Sequence, residues 1–167
     1  MYLPNLPWWV RDIVALVLLT HMTSVYITLY LHRYVTHGAL VLHPFVQWLF
    51  RAWLWLNTGM GTKDWVGVHT WHHATVDTAD DPHSPRYFGV WGIVAGGVLR
   101  YRAAVNNRAK IAYYTDLNPR VPRDKWEQRL FDGPFHHWGV AVLLALDLMI
   151  FWHTLPREES TSSLFTS

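Results

Sequence analysis

The chain has 167 residues, of which 51% are hydrophobic and only 16% charged, with 11 tryptophans and a net charge of +2. That length suits one domain, but so few charges cannot clothe a soluble enzyme, so a lipid bilayer is the expected solvent. The absence of cysteine excludes disulfides, iron–sulfur clusters and thiol nucleophiles together, and the small net charge gives no reason to expect nucleic acid.

In chain order, residues 10–31 form the first long apolar run, VRDIVALVLLTHMTSVYITLYL. Its roughly twenty residues match a hydrocarbon core of about 30 Å, and Trp8 and Trp9 stand before it as interfacial anchors. Arg11, at the start of this helix, is the one basic residue up to Leu31, whereas the other arginines and lysines follow it. The positive-inside rule therefore places residue 32 onward in the cytoplasm. The extreme N-terminus has no basic n-region, and the run is too long and aromatic for a cleaved signal peptide.

A second apolar stretch, residues 41–60, is interrupted by Arg51 and opens on His43-Pro44. It is expected to lie buried or re-entrant, with Arg51 turned to protein or to the interface. Residues 61–135 form the expected cytoplasmic region. Within it, the glycine-rich piece 87–99 is too short to span and suits a helix at the surface or under the site. The polar stretch 100–135, broken at Asn118-Pro119, Val121-Pro122 and Gly133-Pro134, reads as a connector of short helices and turns. Residues 138–155 are the expected second membrane helix, and 156–167 a polar tail. The fold class is thus all-α: an integral membrane helical bundle with a cytoplasmic histidine region, in a single domain over 1–167.

Residues 69–85 read HTWHHATVDTADDPHSP. On an ideal helix His72 and His73 lie about 300° and 400° round from His69, so all three rings share one side within roughly a turn. Three imidazoles so placed would be costly to desolvate without partners, and chelation relieves that cost. Upstream, HRYVTH carries His32 and His37. Five residues of ideal helix leave these two rings about 140° apart, so either the helix ends between them or they serve different ions. A site shared by both stretches also requires that residues 41–60 do not cross the bilayer. Histidines without cysteine suit iron, zinc, copper or manganese, and neither HExxH nor paired ExxH motifs occur. Asp77, Asp80 and Asp81 are candidates to accept hydrogen bonds from the ring nitrogens turned away from a metal. His21, His43, His83, His136, His137 and His153 read as structural: a bonded ring inside the bundle, a cap, a turn and boundary residues.

HRYVTHGAL and HTWHHATVDTADDPHSP resemble the first two histidine boxes of the membrane fatty acid desaturases, particularly the bacterial acyl-CoA Δ9-type branch, and WLWLNTGMGTKDWVGVH resembles the approach to the second box. The likeness runs over residues 8–99. Thr70 stands where the family has arginine, at a position that is not a ligand. The resemblance implies two irons held by histidines, with His32, His37, His69, His72 and His73 among the ligands, and dioxygen-dependent removal of two hydrogens from a fatty acyl-CoA or acyl-lipid. It further implies a ferredoxin or cytochrome b5-like donor and a bacterial inner membrane with the boxes on the cytoplasmic side. The family's third HxxHH box has no counterpart here: His136-His137 has Gly133 in place of the first histidine. A fragment incomplete before that box, inactive alone, is the expectation. A hydroxylase or ketolase with the same boxes, or a non-catalytic membrane protein with a residual metal site, would share these residues.

Overall fold

The structure is a computed structural model and describes residues 7–154, so the expected polar tail at 156–167 lies outside the described residues. All regular structure among them is helical. Helix α1 (Trp8–Tyr26) continues without a break into a π-helical segment, π1 (Ile27–Thr36). Together they give the one described helix, Trp9–Thr36 at 28 residues, long and apolar enough to cross a membrane. Its flank is almost wholly open, with Ile13, Leu16, Leu18 and Val25 pointing outward, as a lipid-facing helix requires.

Helix α2 (Pro44–Thr58) starts where proline at N1 and the His43 ring, accepting from the Phe45 N–H at 3.3 Å, satisfy its first turn. It stops at Gly59, whose left-handed φ of 60° only glycine adopts cheaply. Its 15 residues extend about 22 Å, short of a bilayer core. The helix doubles back along α1. Phe50 stacks on Tyr26 at 4.4 Å, Trp53 meets the same ring at 5.3 Å, and the Trp53 indole N–H donates to Thr23 Oγ1.

Helix α3 (Thr62–Thr75) follows after three residues and packs its Gly67 against Ile111 of α6 (Arg108–Thr115). A Cβ at Gly67 would lie only 2.9 Å from Ile111 Cδ1, so glycine sets this helix spacing. Helices α4 (Pro85–Val94) and α5 (Gly97–Asn106) lie between them in sequence. A second π segment, π2 (Glu127–Phe131), precedes α7 (Trp138–Thr154). Two clusters form the core. Tyr30, Leu31, Val35, Leu54, Val66 and Val121 make the first. Val68, Trp71, Ala104 and Ile111 make the second. The connector at 116–123 is therefore part of the fold: Val121 enters the first core, and Asn118 Nδ2 donates to the Val35 carbonyl at 3.0 Å.

Arg51 resolves the charge inside the second apolar stretch. It is buried and turned to protein, donating bidentately to Asp124 at 2.7 and 2.9 Å and through Nε to Glu127 at 2.9 Å, with its guanidinium over the Phe131 ring. This pins α2 to the chain before α7. Burial pushes the Glu127 carboxyl up to about 7 despite the arginine beside it. A folded-state value above the ordinary one favours the fold at low pH, and that contribution is lost as pH rises through about 7. Arg51→Leu leaves Glu127 buried without its cation and is expected to cost on the order of 3 kcal/mol. The cost should be larger at alkaline than at acidic pH, as read by denaturant unfolding in detergent. Arg51→Leu with Glu127→Leu should recover most of it.

Candidate metal centre

The π1 segment decides where the first two histidines point. Hydrogen bonding there runs i to i+5: the His37 N–H donates to the His32 carbonyl at 3.0 Å, and Thr36 Oγ1 donates to the Leu31 carbonyl. A widened turn stacks residues five apart as an α-helix stacks residues four apart. The two rings lie 4.6 Å apart. The helix ends at Thr36, between the two histidines, and its widened last turn leaves both rings side by side. Gly38 then breaks the chain away at φ 62°, where a Cβ would collide with the Arg120 guanidinium at 2.5 Å.

From α3, His69 and His73 meet this pair. One ring nitrogen from each of His32, His37, His69 and His73 lies within 4.8 Å of the others, and His69 Nε2 faces His73 Nε2 at 3.1 Å. His37 and His69 are 5.9 Å apart by ring centroid, so residues 41–60 do not separate the two stretches. Most of the rings cross steeply, at 63° for His32 with His37, 83° for His37 with His69 and 80° for His69 with His73. Trp65 stacks on His69 at 4.5 Å and fixes its plane. Burial and the neighbouring imidazoles push His69 down to about 3, and the same causes lower His37. Both rings are neutral at physiological pH, the form that binds metals.

His72 separates from its two neighbours. Rotations of about 300° and 400° bracket the His69 direction from either side, leaving His72 and His73 about 100° apart. His72 turns instead to the loop after α3, where its Nδ1 bonds Asp81 Oδ1 at 2.8 Å. Asp81 is buried and also accepts from the His83 backbone N–H at 3.0 Å and the Asp77 backbone N–H at 3.2 Å. Burial pushes its carboxyl up, but these donors outweigh that and hold it below the usual carboxylate range. The His83 ring stacks on His72 at 4.2 Å and 24°, and His72, Asp81 and His83 bring donor atoms within 4.8 Å of one another.

The three carboxylates thus have three different jobs. Asp77, at φ 57°, accepts from Ser84 Oγ and braces the loop. Asp80 faces away, accepting from the Trp71 indole and from Lys110. Only Asp81 reaches a histidine. Sequence reasoning placed His83 in a turn and missed its ring on His72; its spacing of two from Asp81 was the available signal. His21 bonds its own helix at the Val17 carbonyl, and His136 bonds the Gly133 carbonyl. The His153 side chain lies outside the described residues. A cavity of about 680 Å³ lies between the α2–α3 turn, α5 and the start of α7, and none of the five histidines lines it.

No family model matches the chain, and no solved structure matches it. Curated sequences do. An acyl-CoA C20 Delta5-desaturase from Anemone leveillei is 31% identical over 141 residues, covering 75% of this chain and 44% of that protein. The sn-1 stearoyl-lipid 9-desaturase of Synechocystis sp. is 30% identical, covering 90% of this chain and 51% of that protein. An icosanoyl-CoA 5-desaturase from Limnanthes douglasii is 36% identical over 101 residues, covering 54% of this chain and 28% of that protein. The chain spans about half the length, or less, of these relatives. With histidine-rich stretches that fold together and relatives of one chemistry, the chain belongs to the fatty acid desaturase family of oxidoreductases.

Proposed function

We propose that this chain supplies the first metal position, and part of the second, in a membrane desaturase acting on fatty acyl chains. The convergence of four imidazoles from π1 and α3 carries the reading. The donor set fits iron: four nitrogen ligands and no thiolate, with two facing nitrogens 3.1 Å apart, close to the roughly 3.0 Å edge of two ligands at about 2.1 Å from one first-row ion. His32, His37, His69 and His73 hold the first ion. His72 is the ligand to the second, its far nitrogen aimed by the Asp81 bond. When bound, the iron pair supplies the dioxygen activation needed to remove two hydrogens from an unactivated alkyl segment.

The residues of the chain do the positioning. Trp65 sets the His69 plane, the Asp81 carboxylate fixes the His72 tautomer, and the Arg51 network holds α2 against the chain before α7. Among the described residues, His72 has only Asp81 and His83 as further donors nearby, so the remaining ligands of the second ion come from elsewhere and the isolated chain forms no double bond. Acyl-CoA or acyl-lipid is the proposed substrate, as the names of the relatives suggest. The sequence contains no haem-attachment or dinucleotide motif, so a ferredoxin or cytochrome b5-like protein is the proposed donor. Two iron ions, a bacterial inner membrane and cytoplasmic histidines complete the proposal, with α1–π1 crossing the bilayer, the shorter apolar α7 completing a second crossing only with its flanking residues, and α2 re-entrant.

The decisive experiment grafts residues 8–99 into the corresponding segment of the Synechocystis stearoyl-lipid 9-desaturase and reads new double bonds in a host lacking the activity. The chimera is expected to desaturate and its His69→Ala variant to fail; a folded, membrane-inserted but inactive chimera contradicts the reading. Purified alone, the chain should hold about one iron at neutral pH and keep it until the pH falls well below the ordinary imidazole range, since burial and the neighbouring rings hold His69 neutral down to about 3. Asp81→Asn in the chimera should leave the first iron in place and weaken the second by about 10- to 100-fold, measured by metal titration.

A further inference from the structure

Helices α4 and α5 leave one apolar face without a partner among the described residues. Val90, Trp91 and Val94 share one face of α4 beyond its break at Gly89 (φ 70°), with Tyr87 just before the break and Val98 on the first turn of α5; all five are more than half exposed, and Trp91 is 81% exposed. No residue of α4 is buried. The pair is held as one unit by Arg100, whose guanidinium lies 3.5 Å over the Phe88 ring while its Nε donates to the Gly92 carbonyl at 3.1 Å. Residues 85–102 contain three arginines and no acidic residue, and Arg86 and Arg102 remain exposed beside the stripe.

We infer that this stripe lies in the bilayer interface, its apolar side among the upper acyl segments and Arg86 and Arg102 against anionic headgroups. The inference rests on the membrane reading above and adds a contact which that reading does not contain. Position supports it. Gly97 and Val98 line the same cavity as His136 and His137, the two residues that lead into α7, whose Leu144, Leu148 and Met149 also face outward. The stripe therefore sits beside the entry of an apolar helix, where a surface at the same depth meets the lipid boundary. Its composition matches that place: a tryptophan and branched aliphatic residues on one side, arginines at the edge and no carboxylate. Seated so, the α4–α5 unit anchors α3 and the histidine loop, which it joins through Ser84, at a fixed height over the membrane.

The native chain has no cysteine, so single cysteines carry spin labels cleanly. Leu18→Cys, Val94→Cys and Leu117→Cys are labelled in the full chain and reconstituted in vesicles of phosphatidylcholine and phosphatidylglycerol in equal parts. Collision rates with oxygen and with a water-soluble nickel chelate are then compared. The label at 94 should favour oxygen over nickel severalfold more than the label at 117, and less than the label at 18. Nickel access at 94 equal to that at 117 overturns the inference while leaving the membrane reading intact. Screening at 94 from both reagents shows a protein-covered face and also overturns it. A water-exposed label at 18 overturns the inference and the membrane reading together.

Discussion

Ring nitrogens of four histidines from separate stretches lie within 4.8 Å of one another, and the rest of this structure follows from bringing them together. The two first-box histidines are five residues apart, a spacing that an α-helix scatters. The π1 segment converts it into a facing pair through the His37-to-His32 backbone bond. Widening a helix sacrifices good hydrogen-bond geometry, and it persists here because Tyr30, Leu31 and Val35 on its other side are among the most buried residues of the fold. Packing on one face holds the distortion that aims the other.

The second box reaches the same point because α2 is short and turns back. Arg51 is the means: a charge unsuited to lipid becomes an internal tie between α2 and the chain at 124–131. With α2 pinned along α1, the three-residue turn at Gly59–Gly61 starts α3 so that its far end rises to the histidines of π1. The loop after α3 then spends its buried carboxylate, Asp81, on three donors at once, and one of them is His72. The two acidic residues before it do other work: Asp77 braces that loop and Asp80 ties it to α6.

Much of this was legible in the chain itself. The apolar runs and breakers read as an all-helical fold, the two histidine-rich stretches resembled the desaturase family, and Arg51 was expected to face protein or the interface. Ideal helix geometry was the limit. It put His69, His72 and His73 on one side, yet one residue step of about 100° is enough to divide them between two positions. It offered an ended helix or two ions for His32 and His37, and the helix does end at Thr36, but no local residue pattern announces the π turn that brings the rings together; that state is chosen by tertiary burial. Asp77, Asp80 and Asp81 read alike in sequence, and only the folded loop tells the buried one from the two that face Ser84 and Lys110. His83 was hidden for the same reason, since stacking on His72 is a contact made by the turn as a whole.

The central claim is that His32, His37, His69 and His73 share one ion. X-ray absorption on the iron-loaded chain tests it directly, by counting imidazole scatterers around the metal in the native protein and in His37→Ala and His73→Ala, one from each box. Four imidazoles at about 2.1 Å, reduced to three by either substitution, is the expected result. A native shell that neither substitution alters, or that responds to only one box, would contradict the account.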